Sequence, residues 1–416
     1  MKTSAGDMEA LTAAYEVGGR RFEIGSPGLV AAIAEAYAAR LRPRCMCFAE
    51  GVEMYVARVA NGHIVKRMPG TGSRHAPNCP SYELPAEFYE LNQTLGSAIT
   101  EDLSTGNITL KLDFSLSKLD RRPATSAPCR VNGGSVSRDA RLSMRSLLHY
   151  LWDQAELTHW HPGFEGKRSW ATVRRHLLRA AEGKFARHAE LLGRLYVPEV
   201  FCVPRRDEIN ARRIARCARI SAAQGRAQHL MLLIAELKEI VPTRFGARAT
   251  VKHLPDLAFA LDERLYRRLC RRFEPELSMW GSAPDLHMVI IATFGVSTLG
   301  VPTISELSLM PVNRQWLPVQ DTFECLLLDT LARENRHFIK VLRYDMPLEV
   351  LLPAAALTDI EQSPLALYLW RSLDVDQSAV NPTLDHTDPL GTTSAWVWRD
   401  LGAEMPPLPR PTMQGS

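Results

Sequence analysis

Residues 42–83 open as Arg42-Pro43-Arg44-Cys45-Met46-Cys47. They continue through Gly51-Val52-Glu53-Met54-Tyr55-Val56 and Lys66-Arg67-Met68-Pro69-Gly70-Thr71-Gly72, and close with His75-Ala76-Pro77-Asn78-Cys79-Pro80-Ser81-Tyr82-Glu83. Met54 to Val59 and His63 to Met68 read as the arms of a hairpin, because Asn61-Gly62 between them accepts the positive φ of a two-residue turn. A hairpin brings the chain back to its start, so Cys45 and Cys47 before the first arm meet His75 and Cys79 after the second. Three thiols and an imidazole are the ligands that a closed tetrahedral Zn2+ site takes. With no open position for water or substrate, such a site is structural rather than catalytic. Gly70 and Gly72 are expected to supply the flexible backbone for the fold-back. The Cys-x-Cys spacing is tighter than the common Cys-x-x-Cys. His63 is a substitute ligand by residue type, but the hairpin places it at the far end. The plainer reading is a set of ordinary buried thiols beside a surface histidine.

Outward from the hairpin, Tyr15 to Ile24 reads as strand, turn and strand around Gly18-Gly19. A helix follows with Ser26 as its cap, Pro27 at its first position, and Leu29, Ile33, Tyr37 and Leu41 along its buried face. Ile108 to Leu116 is a further strand. Helices are expected at Leu142 to Leu157, from Ser169, at Asp207 to Ala222, at Asp262 to Phe273 and at Asp321 to Glu334. Strands are expected at Leu230 to Val241, Ala249 to His253, Met288 to Phe294, Thr303 to Met310, Phe338 to Tyr344, Val350 to Leu357 and Leu365 to Trp370. The class is therefore α+β in several domains, as befits 416 residues. The divisions are a zinc-bound hairpin domain over 1–121, a Pro/Ser/Gly linker over 122–138, and a helical, helix-turn-helix-like segment over 139–190. An α/β domain over 191–315 and a small α/β domain over 316–402, restriction-nuclease-like and degenerate, follow. A disordered proline-rich tail over 403–416 closes the chain.

Eight cysteines in this length are too few for a disulfide scaffold. Three of them lie beside one histidine, which points to a metal in a reducing compartment. Outside that group the nearest pair is Cys202 and Cys217. No signal-peptide pattern is read near the start, so a cytoplasmic location is expected. Leu286 to Ser305 lacks charge over a membrane-spanning length, but Gly295, Gly300 and Pro302 favour two buried strands around a turn, and no membrane is expected. The net charge of +4 is unevenly spread: residues 141–275 carry 26 Lys and Arg against 14 Asp and Glu, leaving −8 elsewhere. A basic middle fits a polyanion partner, most often nucleic acid, or else a solvated arginine-rich surface.

The residues quoted at the start, with Trp316-Leu317-Pro318, Lys340-Val341-Leu342-Arg343-Tyr344 and Leu357-Thr358-Asp359, resemble an uncharacterised bacterial family, domain of unknown function 1173, over nearly the whole chain. The resemblance implies a DNA-centred setting, since members tend to be encoded on plasmids and integrative elements. It brings no catalytic residues.

Two function classes compete. In the first, the helices at 142–157 and 170–182 form a helix-turn-helix-like pair, and Lys167, Arg168, Arg174, Arg175 and Arg179 neutralise phosphates from the second helix. Its turn is long for that motif, and a plain helical hairpin with a basic face is the alternative. In the second, the chain is a Mg2+-dependent nuclease of the restriction-endonuclease-like class, with Pro198-Glu199 upstream of Glu236 and Lys238 on one strand face, or with Glu324 and Asp359. An edge charge pair is the plainer account of Glu236 and Lys238. Gly70-Thr71-Gly72 lacks the rest of a phosphate loop, and Ser297 lacks the closing glycine of a nucleophile elbow. Asp385, His386 and Asp388 read as a solvated loop. The function expected is a zinc-stabilised, nucleic-acid-binding accessory protein of a mobile genetic element, with the nuclease as the alternative.

Overall fold

Strand β1 (Ala14–Val17) turns through Gly18 and Gly19, both at positive φ, into β2 (Arg20–Glu23) in the computed structural model of the chain. The structure describes residues 14–59, 62–77, 79–85, 98–102, 105–119, 140–187, 189–221, 227–296, 300–345, 352–360, 364–370, 395–399 and 404–411. Helix α1 (Pro27–Ala38) starts on Pro27, whose missing N–H would have been unpaired there in any case. Its Leu29, Ala32, Ile33 and Ala36 pack with Val17 and Val56. Two details depart from expectation. Ser26 holds the cap position but its side chain makes no capping bond, and the helix stops at Ala38, leaving Leu41 50% exposed. β3 (Arg44–Cys45), β4 (Val52–Val59) and β5 (Gly62–Arg67) complete a sheet of order β2-β1-β3-β4-β5; the expected β4–β5 hairpin forms, but Val59 pairs with Gly62, so that Gly62 opens β5 instead of lying in the turn.

Next come β6 (Ile99–Asp102), β7 (Asn107–Leu110) and β8 (Ser117–Leu119). The strand expected to reach Leu116 ends at Leu110, because the chain then leaves to bridge Leu112 with Leu142. The linker at 122–138 and the loop at Asp385 lie outside the described residues. α2 (Met144–Gln154) is capped by Ser143, whose hydroxyl accepts the Ser146 amide, and Leu147, Leu148, Leu151 and Trp152 are fully buried. After it run β9 (His159–Trp160), α3 (Trp170–Ala181), β10 (Lys184–Ala186), β11 (Ala189–Glu190), α4 (Leu191–Arg194), β12 (Leu195–Tyr196), α5 (Arg206–Ser221) and β13 (Ala227–His229). Strands β11-β10-β7-β6 form one sheet and β13 pairs with β8.

The centre of the molecule is a closed ring of strands. β14 (Met231–Thr243), β15 (Gly246–Val251) and β16 (Ala258–Asp262) form an antiparallel meander; α6 (Glu263–Arg272) and α7 (Glu274–Ser282) follow, then β17 (His287–Val296) and β18 (Pro302–Val312). β18 pairs antiparallel with β17 and parallel with β16, and β17 returns to the first half of β14, so the order β14-β15-β16-β18-β17-β14 closes. Small Greek-key barrels such as the OB-fold have this architecture. β14 serves both neighbours because it is long: Met231 to Leu237 face β17, and Leu237 to Thr243 face β15. The period of two sends Met231, Leu233, Ala235 and Leu237 into the barrel, closed below by Leu265, Leu269 and Phe273. Leu232 and Ile234 face outward into a second core made with α2 and α3. The charge-free segment Leu286 to Ser305 is thus mostly barrel strand, and no helix among the described residues is long and apolar enough to cross a membrane.

α8 (Thr322–Arg333), capped by Asp321, packs on a sheet of β19 (Phe338–Lys340), β20 (Ala355–Leu357), β21 (Leu365–Leu369) and β22 (Trp396–Trp398), with β9 added at the β19 edge. The fold is mixed α and β throughout. The proline-rich tail corrects the expectation of disorder over residues 404–411. Met405 and Leu408 pack on this core, Trp396 Nε1 donates to the Pro407 carbonyl at 3.1 Å, and Arg336 Nη1 donates to the Pro409 carbonyl at 2.6 Å.

Candidate metal centre

Cys45 ends β3, and the sheet holds it on both sides, opposite Tyr15 of β1 and Val52 of β4. Beyond β5 the chain makes a short 3-10 turn, Gly72–Arg74, and two further backbone turns (His75 N to Gly72 O, 3.2 Å; Cys79 N to Ala76 O, 2.8 Å) that aim His75 and Cys79 back at it. The Cys45 and Cys79 sulfurs are 3.6 Å apart, and His75 Nδ1 is 3.5 Å from Cys47 Sγ and 3.6 Å from Cys79 Sγ. All four ligand atoms lie within 4.8 Å of one another, so this group could hold a metal ion. It is the one group of three or more Cys, His, Asp or Glu of that kind among the described residues. The sulfur separation is far beyond a disulfide bond, which is about 2.05 Å.

The thiols do not share one acidity. The hydrogen bond with Cys79 draws the Cys45 thiol below its ordinary pKa, while the same bond and then burial push Cys79 up to about 12. Burial raises Cys47 as well. One ionised sulfur therefore suppresses the next. The Ser81 amide, 3.4 Å from Cys79 Sγ, is placed to donate to that sulfur. Gly72 acts through close approach rather than flexibility, since a Cβ there would sit 2.5 Å from Glu83 Cβ. Glu83 in turn pairs with Arg67 at the end of β5. His63 lies away from the group, its ring 4.3 Å from that of Tyr37.

The basic residues on and just before α3 divide. Lys167, Arg175 and Arg179 are exposed. Arg174 turns inward and donates to the Val197 carbonyl at 3.1 Å. Arg168 is a correction: its guanidinium donates to the carbonyls of Leu157 (3.0 Å), Gln315 (3.3 Å) and His159, and lies 5.2 Å from the Trp160 ring and 4.8 Å from the Phe164 ring. Burial lowers it to about 10. A side chain so engaged ties the α2–α3 connection to the loop after β18 at Gln315 and is not presented to a phosphate.

The model of the family described as "Protein of unknown function (DUF1173)" matches residues 15–401. The chain belongs to that family. No curated protein and no solved structure matches the chain.

In this member of the family the carboxylates expected of a nuclease do not gather; no three of Glu199, Glu236, Glu324 and Asp359 share a metal-sized site among the described residues. Each has its own cation. Glu199 is held by Arg212 at 2.8 and 2.9 Å, Glu324 by Lys340 at 2.9 Å, and Asp359 by Arg336 at 2.7 Å through both oxygens. Glu236 and Lys238 also separate. The β14–β15 register slips between Leu237 and Glu239, which makes Lys238 the extra residue of a bulge, exposed while Glu236 is buried.

Glu236 instead meets Lys252 (2.5 Å), His287 Nδ1 (2.6 Å) and His253 (3.9 Å), with Trp170 stacked on His253 and Trp316 on His287. Burial raises this carboxyl, but His287 and Lys252 more than offset it and leave it below the ordinary range. Sequence reasoning missed this cluster. Its members come from β14, the turn just after β15 and the start of β17, and only the ring closure joins them.

Proposed function

We propose that this chain is a zinc-stabilised nucleic-acid-binding protein, an accessory factor of mobile DNA, whose Zn2+ is held by Cys45, Cys47, His75 and Cys79. The observation that carries the metal is the size of the ligand tetrahedron. Zn–S bonds of about 2.3 Å and a Zn–N bond of about 2.0 Å give edges of about 3.5–3.8 Å, and three of the edges here measure 3.5, 3.6 and 3.6 Å. Three thiolates and one imidazole suit zinc over harder divalent ions. Four protein ligands leave no position for substrate, so the ion's role is to fix the hairpin. Seven cysteines among the described residues are free thiols, which suits a reducing compartment such as the cytoplasm.

The nucleic-acid part of the reading is supported by the basic stretch 141–275 and by the exposed Lys167 just before α3 and Arg175 and Arg179 on it. Binding through such cations displaces condensed counterions, so affinity falls as salt rises. The test is titration of metal-replete protein into labelled oligonucleotides at several salt concentrations. Replacing Arg175 and Arg179 with Glu is expected to weaken binding to all sequences alike and to flatten the salt dependence. Absence of any oligonucleotide binding at low salt overturns the reading.

A further inference from the structure

We infer that the open face of the β14–β18 barrel binds single-stranded nucleic acid, with the turn Arg244-Phe245 as its stacking platform. The inference rests on the nucleic-acid reading above and gives it a ligand class and a surface.

The barrel's outer surface is half covered. Leu232 and Ile234 of β14, Val289 and Ile291 of β17, and Met310 and Val312 of β18 lie under α2 and α3. The other half is the second part of β14 with β15 and β16. Cross-strand register sets Val241 beside Arg248 beside Ala260, and Glu239 beside Thr250 beside Ala258, none of them buried. Alanine and threonine side chains make that floor shallow. The β14–β15 turn stands at its edge. Phe245 there is 77% exposed and Val241 47%, so neither has gained the burial that would stabilise the fold. The Arg244 guanidinium lies 5.2 Å from the Phe245 ring centroid. Gly246 fixes this turn: its φ is +130°, and a Cβ would meet the Leu261 carbonyl oxygen at 2.1 Å, so the backbone is pressed against the β16–α6 junction. The aromatic is thus held outward by the backbone rather than left there by a loose loop.

Charge selects the occupant. Residues 238–272 carry nine Lys and Arg against four Asp and Glu. Among the described residues Lys238, Arg244 and Arg248 form no ion pair. Asp262 is engaged as the cap of α6, accepting the Leu265 amide at 2.7 Å, and Glu263 pairs with Arg267 at 2.5 Å. Glu239 is the acid of the floor without a cation. A shallow surface with cations on and beside it and an exposed aromatic matches a single strand, whose phosphates follow the cations and whose unpaired bases offer a π-face to Phe245. A duplex keeps those faces inside its stack. Barrels of the OB kind take oligonucleotides on the face of their second and third strands and at the adjoining loops. Architecture alone assigns no ligand, but here the exposed aromatic and free cations fall on that face.

The test uses full-length, metal-replete protein, with labelled oligo-dT, oligo-rU and a duplex, each of about 15 units, followed by fluorescence anisotropy at low salt. Phe245→Ala, Arg248→Glu and the double reversal of Arg175 and Arg179 are compared with the parent chain, and each variant's thermal unfolding is recorded. Single strands are expected to bind in preference to duplex. Phe245→Ala and Arg248→Glu are each expected to weaken that binding about tenfold or more, with unfolding unchanged because both side chains are exposed. The dT and rU arms show which sugar is favoured. Single-strand affinity unaltered by both barrel variants, while reversal at 175 and 179 abolishes binding, overturns this inference and leaves the nucleic-acid reading standing. No oligonucleotide binding by the parent chain overturns both.

Discussion

Replacing Cys79 with Ser should remove the bound metal and loosen the N-terminal sheet, and the size of the effect follows from the loop that the metal closes. Cys47 and His75 are joined through the β4–β5 hairpin, but the hairpin already pairs Met54 with Arg67. The loop left for the metal to close is therefore only about 17 residues: roughly eight before the hairpin pair and nine after it. In the chain-entropy treatment of a cross-link, a loop of that size contributes about 3 kcal/mol, and metal clips follow the same logic as disulfides. Metal content by mass spectrometry, and unfolding followed with and without a zinc chelator under reducing conditions, give both quantities. The parent chain should carry one zinc and lose stability on chelation; Cys79→Ser should carry none and show no further response to chelator. Protein without stoichiometric metal, or a parent chain whose unfolding ignores chelation, would refute the argument.

Arg168→Ala should cost about 3 kcal/mol, since it strands carbonyls that accept charge-assisted hydrogen bonds, yet leave the salt slope of oligonucleotide binding unchanged; equilibrium denaturation and binding isotherms on the same sample check both. Asp153 supplies a pH dependence. Burial, then the nearby Glu83 charge, pushes its carboxyl up to about 7. Between the unfolded value near 4 and that folded value, the native state holds a proton that the unfolded chain releases, so this group's contribution is full below pH about 4 and lost as pH rises through about 7. Urea unfolding across that window should show stability falling with pH in the parent chain and a flatter profile in Asp153→Asn.

Much of the fold was legible because local signals agreed with the global pattern. Asn61-Gly62 between alternating arms announced the hairpin; Pro27, Asp262 and Asp321 marked helix starts that the structure keeps. Ser26 misled because a cap residue type in the right place need not make the bond, and Leu41 because α1 ends three residues before it. The Cys45, Cys47, His75 and Cys79 group was readable for a geometric reason: an antiparallel hairpin is short, so residues flanking its two arms must return to the same end. Arg168 was misassigned because composition records a cation without its direction. Three carbonyls and two rings claimed it.

The parts that stayed hidden share one physical origin, which is contact between residues far apart in sequence. Glu236 and Lys238 looked like a pair because a regular strand has period two, but a single bulge at Lys238 reverses the side on which each residue falls. The same strand is long enough to pair with β17 along one half and β15 along the other, and no local signal says that it closes a ring. Ring closure then decides which part of the basic middle of the chain meets solvent. It buries one outer half of the barrel beneath α2 and α3 and leaves the half that carries Arg248, Arg244 and Phe245 in solvent. A charge surplus summed over residues 141–275 fits a polyanion partner or a solvated arginine-rich surface alike; only the folded chain distinguishes cations locked into it, such as Arg168 and Lys252, from those left in solvent.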